Sequence, residues 1–168
     1  MVVLSDSDIR KLLPQNVQKR FKGIFMSNEI PKRTKGLYIF NLDNTSGDAS
    51  GNNESIGTHW VGLALEDHKA EYFDPFGKPP DDTVVKWLKR GRKQFPIWYS
   101  TSPIQDLNSS NCGFYVIEFL TDIANGVDFY DAIHKYDISD TKKNERTISA
   151  KYSINENNKG FTGRGFKV

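Results

Sequence analysis

The sequence has only one cysteine, Cys112, in 168 residues, which excludes an intramolecular disulfide and any cysteine-rich zinc site. It has no apolar stretch long enough to cross a bilayer. Its first residues, Met1 to Asp6, carry neither the basic segment nor the apolar run of a secretory leader. A soluble, intracellular, monomeric protein with no membrane partner is expected. A dominant charge is lacking as well: 23 Lys and Arg face 21 Asp and Glu, a net charge of +2, so overall charge neither requires nor excludes nucleic acid. There is no internal repeat and no sustained heptad pattern. What is present is 37% hydrophobic and 26% charged, enough for one domain of this size to bury roughly 70% of its unfolded surface.

Ser5 and Asp6 offer caps to a helix carrying Ile9, Leu12 and Leu13, which Pro14 stops. A short amphipathic piece over 17–21 follows. Residues 36–43 read as a buried strand and 44–57 as a polar, glycine-bearing loop. Residues 58–65 and 70–74 read as a hairpin, and 96–101 as a further strand. Between them Pro79, Pro80, Asp81 and Asp82 suit the start of a helix with Val84, Val85, Trp87 and Leu88. Residues 112–125 form a helix apolar almost all round, which belongs in the interior and ends at Asn125-Gly126. A short helix is expected over 128–136. From Asp137 onward the chain is polar and is expected to be extended or mobile. The resulting class is α+β: a mostly antiparallel or mixed sheet packed on a buried helix, with a domain over 1–136 and a polar tail over 137–168.

Cys112 stands at the predicted N-terminus of the buried helix. Unpaired N–H groups and about half a positive charge there favour thiolate over thiol. A small residue starting a buried helix is also ordinary packing. Gly113 allows another backbone or a substrate to approach closely. Of the three histidines, His68 lies in a charged turn and His134 has no carboxylate strand beside it. His59, at the start of a strand, has Asp74 at the end of the hairpin partner. Asp74 can accept the imidazole Nδ1–H and fix the tautomer, or it can simply cap the turn before Pro75. Gln105, seven residues before Cys112, can donate to an oxyanion together with the Cys112 backbone N–H, or be a surface polar residue. Lys86, Lys89, Arg90, Arg92 and Lys93 cluster towards a helix end. They read either as cations complementing the helix dipole or as a DNA-binding patch.

The runs Gly57-Thr58-His59-Trp60, Tyr72-Phe73-Asp74-Pro75-Phe76-Gly77, Gln105 and Asn111-Cys112-Gly113-Phe114 resemble, in order and flanking residues, the adenovirus maturation protease (adenain) family. They also resemble the wider clan that includes SUMO- and ubiquitin-like-protein proteases. Pro-Phe-Gly after the acid and the Gln–Cys spacing favour the adenain branch. An aspartate rather than a glutamate at position 74 is the residue usual in the SUMO branch. The match runs loosely from about residue 5 to 130.

The resemblance implies an α+β cysteine endopeptidase that cleaves viral capsid or structural precursors during maturation, in the infected cell and packaged in the virion. It further implies cleavage after motifs with glycine at P2, or at both P2 and P1, with Trp60 and Gly113 facing the substrate. Chains of this size also occur in virophages and virus-like transposons. No metal or other cofactor is expected. Adenovirus proteases are activated by DNA and by a disulfide-linked peptide. With its single cysteine committed as nucleophile, this chain can take a peptide activator only without a disulfide. Its own Phe161-Thr162-Gly163-Arg164-Gly165 resembles a cleavage motif, so that self-cleavage between Arg164 and Gly165, or an activating strand, is expected there. The competing readings are a ubiquitin-like-protein isopeptidase with the same triad, a more distant acetyltransferase of the clan, and a non-catalytic binding domain that keeps the fold.

Overall fold

The computed structural model describes residues 3–27, 29–42, 59–155 and 160–161. After α1 (Asp6–Leu12) and α2 (Gln15–Gln18) come β1 (Phe21–Met26) and β2 (Gly36–Asn41), then the hairpin β3 (Trp60–Leu65) and β4 (Ala70–Phe73). Helix α3 (Asp82–Lys89) leads to β5 (Ile97–Tyr99), followed by α4 (Cys112–Ala124), α5 (Phe129–His134), α6 (Thr141–Lys151) and the short pair β6 (Ile154–Asn155) and β7 (Gly160–Phe161). The central sheet has the order β1-β2-β3-β4-β5. Its inner pairings are antiparallel, and β1 and β5 run parallel to their neighbours at the edges. The α+β class with a mixed sheet is therefore as expected.

Alternation along the strands sends side chains to opposite faces and builds two cores. Leu37, Ile39, Trp60, Ala64 and Phe73 join α1, α2, α4 and α6 on one face. Tyr38, Phe40, Val61, Leu63 and Tyr72 join Val84, Trp87 and Leu88 of α3 on the other. Helix α4 lies across β3, and every residue from Cys112 to Leu120 is buried. Gly62 makes that close approach possible, because a Cβ there would stand 3.2 Å from both Phe119 and Val116.

Several expectations are corrected. The segment after α2 enters β1, an edge strand whose alternation is broken by a register shift between Phe21 and Gly23. The chain beyond Asp137 is not simply extended. Asp140 caps α6, and Ile148 and Tyr152 are buried in the main core, so the folded unit does not end at residue 136. Asp43, the loop over 44–57, Thr58, Arg164 and Gly165 lie outside the described residues.

Candidate active site

The β3–β4 hairpin brings His59 and Asp74 together. Its register pairs Gly62 with Phe73, and continued outward it sets His59 opposite Phe76. The two rings stack with centroids 4.9 Å apart. The His59 carbonyl accepts from the Leu42 N–H at 2.9 Å, fixing the backbone from the β2 side. Asp74 is 1% exposed. Its Oδ1 accepts from the imidazole at 2.8 Å and from the Phe76 N–H at 2.8 Å. The two roles set against each other for Asp74, orienting the histidine and closing the turn before Pro75, are thus performed by one oxygen. The nitrogen that faces it is Nε2, not the expected Nδ1.

Cys112 is the first residue of α4, after Asn111. Its side chain is a hydrogen-bonding partner of His59, and the sulfur also stands 4.0 Å from the Ser110 carbonyl oxygen. The residue is only 3% exposed. The His59 side chain beside it is 19% exposed. Burial disfavours the imidazolium. The hydrogen bond and charge of Asp74, together with Cys112, more than offset this and raise the His59 pKa from 6.5 to about 9.

Gln105 is 1% exposed. It is held beside the Asp74 turn because the N–H groups of Ile104 and Gln105 both reach the Pro75 carbonyl, at 2.9 and 3.2 Å. Gly77 permits this junction: it has φ +69°, and a Cβ there would lie 2.6 Å from the Ser102 carbonyl carbon. The Gln105 Nε2 donates to the Ser109 carbonyl at 2.9 Å and to the Ser109 hydroxyl at 3.5 Å. Gln105 Oε1 and Asp74 Oδ2 are buried with no hydrogen-bond partner among the described residues.

Trp60 and Gly113, expected to face substrate, are placed in packing. The Trp60 Nε1–H donates to the Leu4 carbonyl at 3.1 Å. A Cβ on Gly113 would meet Leu4 at 3.0 Å and Trp60 at 3.2 Å. Together they seat the start of α4 against the N-terminal segment. His68 is exposed, and His134 stacks on Tyr130 and donates from Nδ1 to its carbonyl; neither approaches the site constellation. Lys86, Lys89, Arg90, Arg92 and Lys93 are exposed at and beyond the end of α3. Of these, Arg92 donates to the Asp67 carbonyl at 2.6 Å and covers Phe95. Among the described residues, no group of three or more His, Cys, Asp or Glu converges as a metal site.

Two supports of the site went unseen in the sequence. Phe76, which stacks on His59, sits in the Pro-Phe-Gly run but carried no role there. Glu145 of α6 accepts hydrogen bonds from the loop before Cys112. It lies in a stretch whose polarity reads as solvent-facing, and no local pattern distinguishes it.

No protein-family model matches the sequence, and no curated protein matches it. Among solved structures, the chain is similar to the ASFV pS273R protease, with 15% identity and a TM-score of 0.53 over 79% of this chain and 61% of that one. A Se-Met form of the same protease matches at 19% identity and TM-score 0.45, over 62% of this chain and 40% of that one. The SUMO protease Ulp1, with its catalytic cysteine oxidized to a sulfonic acid, matches at 15% identity and TM-score 0.34, over 67% and 50%. The chain spans about three-fifths of the length of the first of these. At this identity the likeness is one of fold alone: the chain shares the mixed α+β fold of the ASFV pS273R protease.

Proposed function

We propose that the chain is a cysteine endopeptidase in which Cys112 is the nucleophile, His59 the acid–base group, Asp74 its orienting carboxylate and Gln105 an oxyanion donor. The observation that carries this reading is the buried Asp74 carboxylate 2.8 Å from a histidine that is itself partnered with the cysteine opening α4. The Cys112 thiol gives its proton to His59 as the nucleophile forms. In acylation Sγ attacks the scissile carbonyl carbon, and the C–O π pair moves to oxygen. The Cys112 N–H and the Gln105 side-chain amide stabilise that oxyanion. As the C–N bond breaks, His59 gives its proton to the leaving amine. Water then attacks the thioester, His59 takes up its proton, and Sγ departs as thiolate. Asp74 holds the ring so that the same nitrogen serves both steps.

The substrates under this reading are viral capsid or structural precursors cut after glycine-containing motifs, with a narrow groove admitting glycine at P2. The enzyme acts in the infected cell and is packaged in the virion, in keeping with a viral or virus-like-element origin, and any peptide activator binds without a disulfide. DNA binding at Lys86, Lys89, Arg90, Arg92 and Lys93 and self-cleavage between Arg164 and Gly165 belong to the same reading. The likeness in fold to a protease named for ASFV supports it. A second reading, a ubiquitin-like-protein isopeptidase, is favoured by the acid itself, since an aspartate at position 74 is the residue usual in that branch.

One assay separates them. Purified wild type and Cys112→Ala are each given a capsid precursor bearing glycine motifs and a ubiquitin-like protein extended beyond its Gly-Gly end. Cleavage of the precursor that is absent in Cys112→Ala supports the endopeptidase. Efficient cleavage of the ubiquitin-like substrate alone supports the isopeptidase. A Cys112 that iodoacetamide modifies no faster than a small-molecule thiol, with no dependence on His59, refutes both.

A further inference from the structure

Gln105 opens a loop over 105–111 that ends at Cys112, so the oxyanion donor and the nucleophile are joined by irregular chain. A loop by itself does not hold a side-chain amide to the fraction of an ångström that charge stabilisation needs. Two consecutive side chains of α6 take hold of it from outside. Asn144, 4% exposed, donates from Nδ2 to the carbonyls of Ile104 at 2.9 Å and Asp137 at 2.7 Å. Its Oδ1 accepts the Asp137 N–H at 2.9 Å. Glu145 accepts four hydrogen bonds. Its Oε1 takes the Asp106 N–H at 3.0 Å and the Tyr115 hydroxyl at 3.1 Å. Its Oε2 takes the Ser109 hydroxyl at 2.8 Å and the Asn111 side-chain amide at 2.7 Å.

The pattern encloses Gln105. The carbonyl before it is held by Asn144 and the N–H after it by Glu145. Its own N–H is held by Pro75, and its side chain donates to Ser109, whose hydroxyl is in turn held by Glu145. Asn111, immediately before the nucleophile, is fixed by the same carboxylate oxygen, and Tyr115 links it to the first turn of α4. Hydrogen bonds to an ionised carboxylate are about twice as strong as neutral ones. One side chain thus ties together the donor's loop, the residue before the nucleophile and the helix that begins with it.

We propose that Glu145 is a positioning residue for the reaction: it fixes the loop so that the Gln105 amide and the first N–H of α4 converge on one oxyanion. Helix α6, from the polar end of the chain, then belongs to the catalytic unit. The role rests on the cysteine-protease reading and acts through Gln105, not on substrate.

The experiment compares wild type, Gln105→Ala, Glu145→Ala and the double variant. The readouts are kcat and KM on a glycine-motif peptide, affinity for a peptide aldehyde ending in glycinal, and iodoacetamide modification of Cys112. The aldehyde forms a thiohemiacetal whose oxygen reports the oxyanion donors directly. Glu145→Ala should lower kcat and aldehyde affinity roughly 10-fold or more with KM little moved. In the double variant the loss should stay within about twofold of that of Gln105→Ala alone, because residues that act as one unit are not additive. Glu145→Gln should fall between wild type and Glu145→Ala. It keeps an acceptor for Asp106 and Tyr115 but turns an N–H towards Asn111, and it carries the same comparison should the alanine variant fail to fold. Cys112 modification should remain His59-dependent in every variant.

Multiplicative losses in the double variant, unchanged aldehyde affinity in Glu145→Ala, or alkylation falling in parallel with kcat would each overturn the positioning role. A wild-type Cys112 that lacks His59-dependent reactivity and does not bind the aldehyde sinks the protease reading itself, and that result is visible before any Glu145 variant is made.

Discussion

Replacing Asp74 by asparagine isolates what the carboxylate's charge does for His59. Asparagine keeps the shape and an acceptor for the Phe76 N–H, so the turn before Pro75 survives while the charge is lost. In the wild type, burial opposes the imidazolium, and the largest opposing influence is the Asp74 hydrogen bond. The net rise from 6.5 to about 9 corresponds to roughly 3 kcal/mol in favour of the protonated ring. A hydrogen bond to a charged group contributes about 1.5–3 kcal/mol, or roughly one to two pH units. Acylation needs the imidazolium proton for the leaving amine, so kcat/KM of the wild type should fall as pH rises through about 9. In Asp74→Asn that alkaline limb should lie about one to two pH units lower.

The same substitution makes a stability forecast with a definite sign. His59 has a folded pKa above its unfolded value, so its contribution is complete below 6.5 and is lost as pH rises through about 9. The advantage of wild type over Asp74→Asn in urea unfolding should therefore be largest in mildly acidic solution and shrink across that window. Activity profiles and urea midpoints measured at the same pH values test both consequences together. An alkaline limb in the same place for both proteins, or a wild-type limb near the ordinary histidine value, would refute the claim that Asp74 sets the charge on the base.

Gln105→Ala should lower kcat by roughly 10²–10³ with KM little changed. Single-turnover kinetics on a peptide substrate distinguish this from weakened binding. Gly77→Ala places a Cβ 2.6 Å from backbone at a φ of +69° and should destabilise by about 1–3 kcal/mol, read as a lower urea midpoint. It should also slow turnover, because this turn is the one that holds Gln105. Glu118, buried in α4, is bonded to Lys151 at 2.8 Å and to the Tyr152 hydroxyl. Burial raises its pKa, but these partners, with Lys135, bring it below 4.5 overall. Its contribution is therefore present above 4.5 and lost as pH falls through the folded value. Glu118→Gln should reduce stability by about 1–3 kcal/mol near neutral pH, with the gap to wild type closing in acid denaturation.

The parts of the fold visible in the sequence are those whose burial follows one period. In β2 and β3 alternate residues enter different cores, so both strands read as continuous apolar runs. Helix α4 is buried on nearly every side and shows it in composition. Strand β1 is less legible because it is an edge strand, mostly half-buried, with a register shift at its start that removes the alternation on which recognition depends. Helix α6 hides for a different reason. Its buried stripe runs Asn144, Ile148, Tyr152, a sound four-residue spacing in which the first member is an amide. A search for apolar periodicity registers only two of the three and leaves a polar segment that looks solvated.

The same contrast separates the legible part of the site from the illegible part. His59 and Asp74 are brought together by a hairpin whose register follows from local sequence, and Cys112 is placed by the helix it begins; each position is encoded within a few residues of itself. Which imidazole nitrogen meets the carboxylate, Nε2 here, is a matter of side-chain orientation that no local sequence pattern shows. The support of Gln105 is still less local. It comes from Asn144 and Glu145, some forty residues later in the chain, and both groups are useful because they are polar: they satisfy backbone and side-chain donors and acceptors that a hydrophobic contact would leave unpaired. Chemistry that uses buried amides and carboxylates as structural anchors is written in residue types that composition assigns to the surface. In this chain, the segment that reads as a polar tail is where the loop of Gln105 finds its anchors.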